Sequence, residues 1–151
     1  MFSFRTWMYL LLFACISVFM NKSAVAEVED FLLSNTATVH YDKFGVPHIA
    51  AQNDADLFFT QGYITARDRL WQMDYSRRLV AGRLAEILGE SAVEQDYEVR
   101  RIGLYRSSVA TYETLTDEMK KLAIAYAAGV NYYIETHKDK LPREFKQLGY
   151  I

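Results

Sequence analysis

The chain is poor in cysteine, histidine and proline. Its single cysteine, Cys15, excludes an internal disulfide. The three histidines, His40, His48 and His137, stand at no metal-ligand spacing from one another or from a carboxylate, so no zinc pattern is present. The two prolines, Pro47 and Pro142, leave the long stretch between them free to be helical. There is no Gly-x-Ser-x-Gly elbow, no P-loop, no dinucleotide fingerprint, no internal repeat and no low-complexity linker. Positive charge is not in excess either. Two of the 17 basic residues, Arg5 and Lys22, precede Glu27, the first of the 19 acids, so the formal charge moves from -2 for the whole chain to -4 beyond Ala26. That balance excludes nucleic acid as an expected partner.

What is present begins with a targeting pattern. Arg5 precedes an apolar run from Met8 to Phe19, then come Asn21, Lys22 and Ser23, then Ala24-Val25-Ala26. Small residues at Ala24 and Ala26 fit a signal-peptidase site, with cleavage after Ala26. The run falls short of the roughly 20 apolar residues that span a bilayer, so residues 1–26 read as a signal peptide and residues 27–151 as the exported part. An uncleaved membrane anchor is the alternative. Cys15 lies within the run, and Ile16–Met20 after it are too apolar for the tether of a lipid-anchored cysteine. The exported part then holds no cysteine, which suits a bacterial periplasm or a secreted protein.

Half of the residues are apolar and about a quarter charged, the composition of a globular chain of one domain. Alternation over Thr36–Tyr41 predicts a half-buried strand. Asp42-Lys43-Phe44-Gly45 predicts a turn, with glycine where φ is positive, and Val46–Ala51 a returning strand in which Pro47 demands an edge. Asn53 or Asp54 caps a long helix that Gly82 ends. Phe59, Tyr63, Ala66, Leu70 and Met73 form one stripe on it, and Ile64, Trp71, Tyr75 and Leu79 a second, so it packs on more than one side. Gly62, mid-helix, predicts a close backbone approach. Leu84–Leu88 form a short helix stopped by Gly89. Val99, Ile102, Tyr105, Val109 and Tyr112 suggest one further helix, and Thr116 caps another whose apolar face runs from Met119 to Ile134. The class is α+β: one hairpin followed by helices.

Candidate chemistry is sparse. His48, beside the turn, fits a structural hydrogen bond better than catalysis. Asp96 and Glu98 are too isolated to make an acid–base pair. Arg67, Asp68 and Arg69 sit between the two stripes, so at least one is expected to be partly buried. A structural ion pair is the favoured reading and a clamp for a substrate carboxylate the sharper one.

Several segments in order carry a resemblance. Phe44-Gly45-Val46-Pro47-His48-Ile49 is followed by Gly62-Tyr63-Ile64-Thr65-Ala66-Arg67-Asp68-Arg69-Leu70-Trp71-Gln72-Met73, then by Arg77-Arg78 and Gly82-Arg83-Leu84-Ala85-Glu86-Ile87-Leu88-Gly89. Ala127–Asn131 and Leu141–Phe145 complete the series. Over residues 36–150 this resembles the N-terminal region of the penicillin amidase (penicillin acylase) family of N-terminal-nucleophile hydrolases. Arg67 departs from the glutamine common there. The motif residues are Gly45, Pro47, His48, Gly62, Tyr63, Asp68, Arg69 and Gln72.

The resemblance implies a four-layer αββα fold of which this chain holds a part. It also implies a precursor cut into α and β chains, with a serine at the β-chain N-terminus as nucleophile and its own amino group as base. The substrates implied are small acyl amides: penicillin-like compounds or N-acyl homoserine lactones. Family members often bind calcium, but the acid that serves it is expected beyond Ile151. No residue here is expected to be catalytic, cofactor-binding or metal-binding. The ending Leu148-Gly149-Tyr150-Ile151, without a polar tail, reads as a break in a longer protein. A stand-alone exported helical module that binds a partner without catalysis is the alternative.

Overall fold

The computed structural model describes residues 33–150; the expected signal segment, with Ala24 and Ala26, lies outside them. The chain begins with an antiparallel hairpin of β1 (Thr38–Tyr41) and β2 (Pro47–Ala50), in a register that sets Val39 against Ile49 and His40 against His48. Both strands are shorter than the alternation predicts, and Pro47 closes the ladder opposite Tyr41, at an end where its missing N–H costs nothing. Asp42 makes the turn. Its Oδ1 accepts from the N–H of Phe44 (2.8 Å) and Val46 (2.9 Å), and Gly45 takes the positive φ of 77°. Those backbone donors, Val46 first, hold the Asp42 carboxyl below the usual range.

α1 (Asp54–Ala81) is the backbone of the unit, and of the two candidate caps the structure uses Asn53. Asn53 Oδ1 accepts from the Asp56 N–H at 2.8 Å while its amide donates to Asp56 Oδ2 at 2.6 Å. Asp56 is fully buried and also accepts from the backbone N–H of Ser34 and Asn35, both at 2.9 Å. One carboxylate thus ties the entering chain to the first turn of the helix. Burial alone would raise its pKa; the donors from Ser34, Asn53 and Asn35 outweigh that and hold it below the ordinary value.

α1 ends at Gly82, which adopts the left-handed conformation (φ 63°). α2 (Ala85–Leu88) follows, and Gly89 begins one turn of 3₁₀ helix, Gly89–Ala92. The single helix expected through Val99 and Tyr112 is instead two, α3 (Val93–Ile102) and α4 (Leu104–Thr114). Gly103, at φ 82°, interrupts the hydrogen-bonded ladder between them. α5 (Asp117–Thr136) is capped by Thr116, whose hydroxyl accepts from the Met119 N–H at 3.2 Å. A 3₁₀ turn and the short α6 (Arg143–Gln147) complete the described chain.

α1 and α5 form the core by crossing at their small residues. A Cβ on Gly62 would run into the Tyr126 carbonyl, and one on Gly129 into the Phe59 carbonyl. The close approach expected at Gly62 is therefore present, and a second glycine answers it from the other helix. Below the crossing, Ala66, Leu70, Tyr133 and Phe145 form the buried cluster, with Tyr63, Trp71, Val130 and Ile134 packed around it. Trp71 meets Phe145 edge-on at 5.5 Å.

Two outcomes follow. Gly62→Ala or Gly129→Ala forces the helices apart, with an expected loss of about 3 kcal/mol, at the upper end of what overpacking costs. Urea unfolding followed by circular dichroism should show a lower midpoint at unchanged slope. Asp56→Ala leaves buried N–H groups without an acceptor and should cost about 2 to 3 kcal/mol at neutral pH. Because the folded Asp56 pKa lies below the ordinary carboxylate value, this contribution is fully present above that ordinary value and is lost as the pH falls through the lower, folded one. The gap between wild type and variant should therefore close in acid.

Candidate functional site

α1 is not straight. Arg69 has φ −144° and ψ 23°, outside the helical region, and the helix kinks there. The kink opens a groove of about 780 Å³ between the hairpin turn, the bent turn of α1 and the start of α6. Gly45, Pro47, Asp68, Arg69 and Gln72 line it, so five of the eight motif residues converge on one place. Phe44 stands at its rim, 79% exposed. The remaining three motif residues lie elsewhere. Gly62 serves the helix crossing. Tyr63 packs among Tyr132, Tyr133 and His137. His48 sits exposed on the outer hairpin with Nε2 3.4 Å from Asp42 Oδ2.

The charged turn departs from expectation. Arg67, Asp68 and Arg69 are all exposed, where at least one was expected to be partly buried. Stripes counted along a straight helix place this turn against neighbours; the kink releases it. Arg67 pairs with its own neighbour Asp68 at 2.8 Å and lies over the Tyr41 ring at 5.0 Å. Arg69 donates through Nη1 to Gln72 Oε1 at 3.0 Å.

A second polar centre, not foreseen from the sequence, sits on the far half of α1. Asp74 accepts from Arg77 Nη2, from Arg78 Nε (2.9 Å) and from the Tyr150 hydroxyl (2.7 Å). Arg78 continues to Glu86 at 2.7 Å and lies 4.8 Å over the Tyr150 ring, while Arg83 grips the same Glu86. Burial pushes the Tyr150 phenol up to about 12, helped by the Asp74 charge beside it. The Asp74 carboxyl is held below its ordinary value because Arg77, Tyr150 and Arg78 outweigh its burial. A cavity of about 530 Å³ borders this network, walled by Leu70, Met73, Ile134 and Phe145. Arg78 follows an i,i+4 pattern from Asp74 that the sequence does show. Tyr150, 76 residues away, carries no local signal.

Asp96, which looked isolated along the chain, is buried and accepts from the N–H groups of Leu84 (2.9 Å) and Ala85 (2.8 Å), capping α2 from a distance. Asp56 was legible in principle, since Asn53-x-x-Asp56 is a capping-box spacing. Both are scaffold.

Among the described residues one hydroxyl lies beside a histidine ring nitrogen. Thr136 Oγ1 lies 2.9 Å from His137 Nδ1, but that hydroxyl also donates to the Tyr132 carbonyl at 2.6 Å, and His137 Nδ1 lies 3.1 Å from the Tyr133 carbonyl. The pair closes the end of α5 and is not poised for attack. Among the described residues, no three of His, Cys, Asp and Glu gather where a metal ion would be held, and no helix is long and apolar enough to cross a membrane.

Comparison with known proteins agrees with this fold. Residues 36–151 match the family described as penicillin amidase. A penicillin acylase 2 proenzyme of Pseudomonas sp. (strain SE83) is 41% identical over 117 residues, which make up 78% of this chain and 15% of that protein. An acyl-homoserine lactone acylase QuiP of Pseudomonas syringae pv. tomato is 36% identical over 118 residues, 78% of this chain and 14% of its own length. The solved structure of a thermostable penicillin G acylase from Alcaligenes faecalis superposes with a TM-score of 0.70 at 30% identity, covering 78% of this chain and 64% of that one. The chain thus spans about 15% of the length of the first of these relatives. With the match extending from the first strand of the hairpin past α6, the chain belongs to the penicillin amidase family.

Proposed function

We propose that this chain is the N-terminal part of the α chain of an exported amidohydrolase that cleaves the acyl side-chain amide of penicillin-like or N-acyl homoserine lactone substrates. In this reading the nucleophile is the N-terminal serine of a separate β chain, and the hairpin and helices described here are part of a four-layer αββα fold. The observation that carries it is the match over residues 36–151 to relatives several times longer. Residues 1–26 act as a cleaved signal in this reading and place the enzyme in the periplasm or outside the cell. In this reading calcium, which the resemblance implies for the longer protein, is served by an acid beyond Ile151.

The test is direct. The purified chain is assayed with phenylacetyl and long-chain acyl amides. No turnover above the uncatalysed rate is expected; release of free acid or amine by this chain alone overturns the reading. Cooperative unfolding of a soluble monomer without any association with other parts of the family fold would favour the stand-alone binding module instead.

A further inference from the structure

Segments that carry the family resemblance meet a second time, away from the kinked turn of α1. Arg77, Asn131 and Phe145 come from three of them, and all line the cavity of about 530 Å³ beside the Asp74 network. Small-molecule sites occupy about 300 to 1,000 Å³ and combine apolar walls with a few polar groups. Leu70, Met73, Ile134 and Phe145 supply such walls here.

The polar groups carry a defined charge. Asp74 pairs with Arg77 and Arg78, and Glu86 pairs with Arg78 and Arg83. Three guanidinium groups thus face two carboxylates, and one positive charge is left over. Arg77 bears it. Its side chain is 56% exposed and touches one carboxylate, whereas the Arg78 side chain is 12% exposed and touches both. Arg77 gives only Nη2 to Asp74, so its Nε and Nη1 find no acceptor among the described residues. The half-buried Asn131 side-chain amide likewise makes no hydrogen bond among the described residues.

Each of these features restricts the occupant. One surplus charge matches a monoanion. A guanidinium with open N–H groups suits a carboxylate, and a free amide can donate to the same group. Apolar walls call for an alkyl or aryl body. We propose that this cavity binds a small monocarboxylate, with its carboxylate on Arg77 and Asn131 and its apolar body against Leu70, Met73, Ile134 and Phe145. The site binds without chemistry: the Tyr150 hydroxyl donates to Asp74, and its phenol, pushed up to about 12, stays protonated. The proposal stands on this cavity and does not rest on the amidase reading.

The full chain is titrated with octanoate and with 4-ethylbenzoate, and the methyl and amide resonances of Leu70, Met73 and Ile134 are followed by NMR. A ligand of about ten heavy atoms should bind with a dissociation constant of about 0.1 to 1 mM. Tighter binding of octanoate identifies an alkyl body and tighter binding of 4-ethylbenzoate an aryl one; either result supports the site. Neutral 1-octanol should bind at least about tenfold more weakly than octanoate, and Arg77→Gln should remove about tenfold of the octanoate affinity. Ile134→Trp, which fills the cavity, should abolish binding; because that variant can also unfold, circular dichroism is recorded, and the exposed Arg77→Gln decides the matter if helix content falls. Absence of shifts at 10 mM ligand, on the order of ten times the upper expected constant, overturns the proposal. So does equal affinity for 1-octanol, or octanoate affinity that Arg77→Gln leaves unchanged. Shifts at Ile134 that grow with protein concentration in the absence of ligand assign the cavity to a second copy and also overturn it. Turnover of acyl amides is scored separately, so either reading can fail while the other stands.

Discussion

Everything in this unit depends on two helices being allowed to touch backbone to backbone. Gly62 on α1 rests on the Tyr126 carbonyl and Gly129 on α5 rests on the Phe59 carbonyl, a reciprocal contact that no side chain could occupy. The approach brings Ala66, Ala125 and Ala128 into full or nearly full burial and sets the depth at which Leu70 and Tyr133 meet Phe145. A glycine inside a helix costs about 1 kcal/mol relative to alanine. Here that cost is offset by close packing along the crossing, where each additional atomic contact contributes about 0.1 to 0.2 kcal/mol. The hairpin, the groove and the Asp74 network are all mounted on α1 and inherit their positions from this contact.

The second organising device is the carboxylate that serves backbone donors. Asp42 shapes the turn, Asp56 holds the entering strand to α1, and Asp96 starts α2. Each satisfies N–H groups that a turn or helix terminus leaves open. The chain's acidic balance is therefore partly architectural. Its arginines instead build the lattice around Asp74 and Glu86, or cover aromatic rings such as Tyr41 and Tyr150.

How much of this was legible in the sequence depended on how local the cause was. The hairpin turn, the Thr116 cap and the Gly82 terminus were readable because a few neighbouring residues decide them. Gly62 was readable as a demand for closeness, although its partner was not, since Tyr126 lies 64 positions along the chain. The expectation of one helix through Tyr112 failed at Gly103, where the left-handed conformation of a single residue outweighed a periodic apolar pattern. Burial of Arg67, Asp68 or Arg69 failed for a related reason: face assignment assumes a straight axis, and Arg69 bends it. The groove combines both cases. Its residues stood out as motif members, but their convergence follows from the kink and from the return of α6, neither of which leaves a local trace.

The crossing has a consequence for how such chains can vary in length. Between the glycine-bearing helices lies a connection of about 35 residues, Gly82 to Thr116, anchored in its first half by the fully buried Leu84 and by Asp96, while α4 in its second half buries no residue. Closing a flexible connection depends only logarithmically on its length, so ten extra residues there would cost about 0.2 kcal/mol. A single residue inserted between Phe59 and Ala66 would instead rotate α1 by about 100° and turn one glycine away from its partner carbonyl. Insertions and deletions should therefore be tolerated in α4 and the turn after it, and excluded from the two crossing turns, which makes the spacing around Gly62 and Gly129 the most rigid ruler in the unit.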